Sequence, residues 1–309
     1  MSRPSPTGLV HSIQARLKNQ ARETGRPFAE LLELFAVERF LHRLGRSEHR
    51  ERFILKGALL LRHWLGVHSR PTRDIDLLGP VNLDAEGLRA VLREILQVAV
   101  EGDGIEFHLD SISVLPIRVE SPVIGLRAKF DARLGRVRLR YQVDAGLGDA
   151  VFPPAEEVIP GGLLGFPMAS VRAYTPYTTI SEKLEAVVVL GEANTRIKDY
   201  YDLALLPRTL AFDGPTLVES IHRTFERRAT VIPLTPLDGL SDAFARHPLN
   251  AGRWRAFLET GGLTAASPEL REIATGIRRF AQPVLDAARE RRSTITHWPP
   301  GGPWRMSPG

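Results

Sequence analysis

The hydrophobic period of this chain changes on either side of one loop, and that change limits its fold more than any other feature. Between residues 105 and 143 the runs IEFHL, ISVLPIRV, GLRAKF and VRLRYQV are strand-like, the last alternating apolar and polar residues throughout. From residue 179 onward the pattern turns helical, over 179–192, 195–206, 214–228, 239–246, 250–260 and 267–290. The segment between, 152–168, is rich in Pro and Gly and is the best boundary candidate. This excludes both an all-β and an all-α protein and predicts an α+β chain. Ahead of the strand-like runs, 8–45 reads as helical with a break at Thr24–Pro27. Residues 53–66 read as a short strand or turn leading into a helix, RDIDLL at 73–78 as a strand, and 84–99 as a helix starting at Asp84. The expected organisation is N-terminal helices (1–50) packed on an α/β core (51–168), an all-helical domain (169–290) and a flexible tail (291–309) rich in Pro and Gly.

Composition narrows the function classes. With 309 residues, 43% hydrophobic and 25% charged, the chain can bury a sizeable core and is not a disordered polymer. It has no cysteine, which excludes disulfide scaffolds, cysteine nucleophiles and thiolate metal sites, and suits a reducing compartment. No run approaches the roughly 20 apolar residues of a membrane helix. The start, MSRPSPTGLV, does not read as a signal peptide, so a cytoplasmic protein with no membrane partner is expected. The net charge of +5 weakly favours a polyanionic partner. Within that charge, Lys occurs only at Lys18, Lys56, Lys129, Lys183 and Lys198; all other cationic positions are Arg. Codon bias in a GC-rich genome accounts for most of this. The remaining lysines still mark places where a compact ammonium suits better than a planar fork.

Asp74 and Asp76 flank Ile75, so on a strand both carboxylates share a face about 7 Å apart along the chain. Such a pair suits a hard divalent cation, Mg²⁺ or Mn²⁺, with a second metal able to bridge it. Alone it equally describes solvated aspartates on an edge strand. Upstream, Lys56-Gly57 falls where a strand passes into a helix, a place a phosphate can approach closely. Arg70, Thr72 and Arg73 stand just before the aspartates, able to meet a triphosphate or Asp74 itself. In VRLRYQVD the residues Arg138, Arg140, Gln142 and Asp144 share the polar face. Asp144 therefore reads as a third carboxylate beside the pair, or as a turn residue before Gly146; Asp149 reads as a loop residue. A helix capped by Thr179 or Ser181 carries Lys183 among Ile180, Ala186, Val187 and Leu190, the setting of a lysine snorkelling from an apolar stripe toward a cleft. In RIKDYYD, Asp199 and Asp202 are helix neighbours, with Arg196–Asp199 and Lys198–Asp202 as candidate ion pairs.

Taken in order, KGALLLRHW, RPTRDIDLLG, VDAGLGD, TISEKLEAVV and RIKDYYDLALL resemble the nucleotidyltransferase-like AbiEii/AbiGii toxin family, the toxin halves of type IV toxin–antitoxin and phage-abortive systems. The resemblance spans residues 53–206. It implies a polymerase-β-like nucleotidyltransferase core, a mixed sheet flanked by helices, with an all-helical C-terminal domain. It implies that Asp74 and Asp76 hold Mg²⁺, that Lys183 meets nucleotide phosphates, and that Asp199 is a further essential carboxylate. It also implies an NTP substrate and a cognate antitoxin. The family often has a second Gly or Ser after the first glycine; here Ala58 stands there, which removes a hydroxyl from the phosphate site.

The expected activity is transfer of a nucleoside monophosphate to an RNA, tRNA foremost, with the arginines of the helical half tracking the RNA backbone. The catalytic set is Asp74, Asp76, Lys183 and Asp199. Lys56, Gly57, Arg70, Thr72, Arg73 and Lys183 bind the nucleotide, and Asp74, Asp76 and Asp144 the metal; Lys198 and Asp202 are secondary candidates. Asp144 or Asp199 would orient the attacking hydroxyl. Two rival readings share these residues: transfer to a small-molecule or protein hydroxyl, and a non-catalytic nucleotide (GTP) binder. A fourth reading makes all the polar pairs surface decoration on an interaction protein.

Overall fold

A computed structural model of the protein describes residues 6–118, 124–234, 237–291 and 294–306. The chain divides into two compact units, each built from three stretches. The first holds Met1–His63, Pro71–Gly148 and Glu156–Ala173; the second holds Trp64–Arg70, Asp149–Ala155 and Tyr174–Gly309.

The first unit centres on a seven-stranded mixed sheet in the order β3-β4-β5-β2-β1-β7-β6. Its strands are β1 (Ile54–Lys56), β2 (Ile75–Gly79), β3 (Ile105–Arg118), β4 (Ile124–Leu134), β5 (Val137–Leu147), β6 (Glu156–Val158) and β7 (Val171–Ala173). β2 runs parallel to β5 and antiparallel to β1; β1 runs parallel to β7. The helices are α1 (Pro6–Thr24), α2 (Phe28–Arg46), α3 (Ala58–Leu65), whose last two residues fall in the second unit, and α4 (Ala85–Gln97). Period two decides the faces: Leu139, Tyr141 and Val143 of β5 are buried while Arg138 and Arg140 are exposed. On the buried side Tyr141 stacks on Phe130 at 4.8 Å, Phe40 of α2 packs on both, and the Tyr141 hydroxyl donates to the Ala36 carbonyl. α4 starts where Asp84 accepts a bond from the Gly87 N–H, a cap worth about 1 kcal/mol, and buries Leu88, Val91, Leu92, Ile95 and Leu96.

The second unit is helical: α5 (Pro176–Leu190), α6 (Ile197–Thr209), α7 (Gly214–Arg227), α8 (Asp242–Arg246), α9 (Pro248–Gly261) and α10 (Leu270–Glu290). It also carries a three-stranded sheet that the sequence pattern concealed, β10 (Arg305–Met306), β9 (Ile295–Trp298) and β8 (Phe212–Asp213) in that order.

Three expectations need correction. The tail is not loose over its described residues. Trp298 and Trp304 pack on Phe280 at 5.0 and 5.4 Å, and their indole N–H groups donate to Pro207 and Phe280 carbonyls. Residues 292–293 and 307–309 lie outside the described residues. The Pro/Gly loop is also not one boundary: 149–155 belongs to the second unit, while 156–173 returns to the first as β6 and β7. Hydrogen bonding holds the earlier part, for Phe152 exchanges bonds with Thr178, and Arg228 pairs with Asp149, the expected loop residue, at 3.0 Å. Finally, α5 begins before Thr179 and Ser181. Thr175 is its N-cap and Pro176 its first residue, so the Ser181 hydroxyl bonds back to the Tyr177 carbonyl instead.

Candidate functional site

In the first unit, strand register assembles the carboxylates. Ile75 and Leu77 are buried at 0% and 1% exposure, which turns Asp74 and Asp76 to the other face. Asp76 lies directly opposite Lys56 on β1 and directly opposite Asp144 on β5, so the three side chains form one row across three neighbouring strands. Gly57 follows Lys56 with φ +73°, a conformation that costs an L side chain about 1–2 kcal/mol. A Cβ there would lie 2.0 Å from the Asp76 Oδ2. Glycine is thus what allows the Asp76 carboxylate to rest over the turn that opens α3. Ala58 is 2% exposed, its methyl packed into the interior.

Asp144 is gripped from β4. The Arg127 Nε and Nη2 donate to its two oxygens at 2.8 and 2.7 Å, and Gln142 adds a bond at 3.3 Å. The bidentate bond to Asp144 is the largest influence raising the Arg127 pKa, and Asp74 and Asp76 push the same way. One guanidinium therefore sits in the field of all three carboxylates. Arg127 was not singled out from sequence. The signal was available, since in a β4–β5 hairpin joined at Gly135 the polar face of β4 must place an arginine opposite Asp144. Nearby, Arg73 pairs with Glu33 of α2 at 2.6 Å, and Thr72 is half-buried.

In the second unit the remaining candidates meet in one buried network. The Lys183 ammonium on α5 lies 2.5 Å from Asp199 and 2.8 Å from Asp202, both on α6. Arg196 holds Asp199 at 2.6 Å, and Arg70 chelates Asp202 through Nε and Nη2 at 3.1 Å each. Exposure is 8% for Lys183, 1% for Asp199 and 0% for Asp202. Burial works against the Lys183 charge, but Asp199 and Asp202 outweigh it and raise its pKa. Burial likewise opposes the Asp199 charge, and Lys183 and Arg196 overcome it, holding the carboxyl at about 2. The Arg196–Asp199 pair is as the sequence suggested. The Lys198–Asp202 pair does not form, because Asp202 turns inward to Lys183 and Arg70 while Lys198 stays exposed. Arg70 is thus engaged in the second unit, and Thr72 and Arg73 lie in the first.

Among the described residues no three His, Cys, Asp or Glu side chains gather in a metal-holding group. The donor chemistry of Asp74, Asp76 and Asp144 nevertheless suits a hard cation. All are carboxylates: Asp76 and Asp144 are in direct cross-strand register, Asp74 stands two residues before Asp76, the Asp144 oxygens bind the Arg127 guanidinium, and Asp74 and Asp76 act on it through their charge.

A mixed sheet bearing a carboxylate row beside a glycine turn at a helix start, with a helical C-terminal region, defines the nucleotidyltransferase class. Residues 39–276 match the family model described as nucleotidyl transferase AbiEii toxin, type IV toxin–antitoxin system. The chain belongs to this family: it is a nucleotidyltransferase toxin of a toxin–antitoxin system. Membership implies an NTP substrate and a cognate antitoxin. Among solved structures it is similar in fold to MenT4, a nucleotidyltransferase toxin of Mycobacterium tuberculosis H37Rv, at 19% identity and TM-score 0.52, covering 91% of this chain and 99% of that one. It is also similar to JHP933 from Helicobacter pylori, at 14% identity and TM-score 0.49, covering 85% of this chain and 94% of that one. No curated protein matches the sequence. No helix among the described residues is long and apolar enough to cross a membrane.

Proposed function

We propose that this toxin transfers a nucleoside monophosphate from an NTP to the 3′ end of an RNA, tRNA foremost, in a reaction that depends on Mg²⁺ or Mn²⁺. The observation that carries the reading is the row of Asp76 and Asp144 in direct register, with Asp74 on the same face and Gly57 leaving room for the Asp76 carboxylate. Asp74 and Asp76 would hold the cation, with Asp144 joining when Arg127 releases one of its oxygens. When bound, the cation supplies charge neutralisation at the reacting phosphate. Lys56, Gly57, Thr72 and Arg73 would receive the triphosphate, with the glycine turn admitting it close to the backbone. Asp144 would orient the attacking 3′ hydroxyl and accept its proton as the hydroxyl oxygen bonds to the α-phosphorus, the bond from that phosphorus to the β-phosphate oxygen breaks, and pyrophosphate leaves.

Lys183 has three ammonium protons, and Asp199 and Asp202 take two of them; the third suits a phosphate oxygen. Asp199, Asp202 and Arg70 would position that ammonium, and Lys198, exposed on the helix that carries both aspartates, is a secondary candidate. The test is incubation of the full chain with tRNA and each NTP labelled on the α-phosphate, with and without Mg²⁺. Label on the tRNA 3′ end, lost with Asp76→Asn, is the expected result. No transfer to RNA from any of the NTPs, or transfer unaffected by Asp76→Asn, overturns the proposal.

A further inference from the structure

One face of the first unit extends beyond the carboxylate row and is charged in a way its own fold does not use. On β4, Arg127, Lys129, Asp131 and Arg133 share this face; on β5, Asp144, Gln142, Arg140 and Arg138 lie opposite them in that order. On β3 the same rows continue with Leu115, Ser113, His108 and Glu106. The row farthest from Asp144 sets Arg133 directly across from Arg138, a like-charge pair that disfavours the hairpin. Arg136 stands in the turn between them. Lys129, Arg133, Arg136 and Arg138 are all exposed, and none has an ion pair among the described residues; Arg140 reaches Asp131 only at 3.9 Å. Glu106 and Asp131 are the acidic residues of these rows besides Asp144.

From Asp144, at the carboxylate row, the cations lead outward along one strand. At a rise of about 3.4 Å per residue, Arg140 lies about 14 Å from Asp144 and Arg138 about 20 Å. A like-charge pair kept on an open face, continuous with the site of phosphoryl transfer, is complementary to a polyanion that reaches that site. We propose that the exposed face of β4 and β5 is the track for the acceptor RNA, with Lys129, Arg133, Arg138 and Arg140 contacting its phosphates and the 3′ end directed toward Asp144. This rests on the RNA-acceptor reading above, and it places the track on the sheet of the first unit, where the sequence alone pointed to the helical half.

The test measures RNA binding by the full chain, separately from transfer, so the two readings can fail independently. The variant Arg133→Ser/Arg138→Ser/Arg140→Ser is compared with wild type and with Arg246→Ser/Arg255→Ser/Arg271→Ser, which removes the same charge from exposed positions of the second unit. The sheet variant is expected to raise the Kd for tRNA about tenfold or more at physiological salt. Its slope of log K against log salt should fall by about 2, the share of three lost single-strand phosphate contacts. Melting should be unchanged or raised, because a repulsive cross-strand pair is removed. An equal Kd and salt slope in sheet variant and wild type, an equal or larger loss from the second-unit variant, or a wild type that does not bind RNA overturns the track. If wild type binds RNA through these arginines but transfers no label to it, the track stands and the acceptor assignment fails. Transfer to a protein acceptor, with RNA binding insensitive to the sheet variant, overturns both.

Discussion

Replacing Lys183 by Met tests whether the buried network is as strongly coupled as its distances imply. The substitution keeps a chain of similar length, removes the ammonium 2.5 and 2.8 Å from two carboxylates, and leaves Asp199 and Asp202 at 1% and 0% exposure. Removing one partner of a buried pair costs about 3–5 kcal/mol. Arg196 and Arg70 stay in contact with the two aspartates, so the lower end applies, about 3 kcal/mol. At a urea slope of about 2 kcal/mol per molar, that moves the midpoint down by about 1.5 M. The readout is available without labelling: Trp64, Trp254, Trp298 and Trp304 are all the tryptophans of the chain, and all lie in the second unit. Tryptophan fluorescence therefore follows the unit that holds the network. Lys183→Arg is the companion variant. It keeps the charge but must fit two extra heavy atoms into a packed site, an overpacking cost of about 1–3 kcal/mol, and it is expected to lose transfer activity through the displaced nitrogen. A Lys183→Met midpoint within about 0.5 M of wild type, equivalent to about 1 kcal/mol, would refute the coupling. Full activity in Lys183→Arg would refute the need for a compact ammonium.

Other outcomes follow from the same geometry. Asp199 titrates at about 2 instead of 3.8, so its stabilisation is present above pH 4 and lost as pH falls toward 2. Urea unfolding followed by tryptophan emission should lose about 2 kcal/mol across that window, and Asp199→Asn should flatten the loss. Lys183, raised above 10.5, behaves oppositely: its contribution persists below that pH and fades as pH rises through the folded value, giving a plateau between the two limits. Gly57→Ala sets a methyl against the Asp76 carboxylate, which can swing away; melting should fall by little more than the φ strain, while transfer drops about a hundredfold or more as the carboxylate leaves its row. Trp298→Ala, removing a ring at 4% exposure in the tail, should cost about 3–5 kcal/mol in the same urea assay; no change would show the tail clasp to be dispensable.

What the sequence made legible depended on how far apart the partners lie. The faces of β5, the start of α4 at Asp84 and the inward face of β2 follow from neighbours within a few residues, so local periodicity revealed them. The Arg196–Asp199 pair spans three residues and was readable for the same reason. The Lys183 network joins residues 16 and 132 positions apart, and no periodicity encodes that Arg70 will claim Asp202 before Lys198 does. β6, β7, β9 and β10 are two to four residues long and are embedded in Pro/Gly segments, so turn chemistry masked them. Arg127 was hidden differently: its spacing was visible, but its importance appears only once β4 and β5 are laid side by side.

The interleaving of the two units has a bearing on how the toxin is made. Neither is a contiguous piece of the reading frame: the first is interrupted at 64–70 and 149–155, and those insertions belong to the second. A ribosome has delivered every segment of the carboxylate-bearing unit by Ala173, whereas the unit holding Lys183 needs the strand ending at Met306. A cut after Ala173 therefore keeps every segment of the first unit, whereas no single cut releases the second unit whole. An aborted translation product carries Asp74, Asp76 and Asp144 without the lysine network, and a re-initiated one carries the lysine without Arg70. Chain order thus delivers the whole carboxylate-bearing unit before the first residue of α5, the helix that carries Lys183.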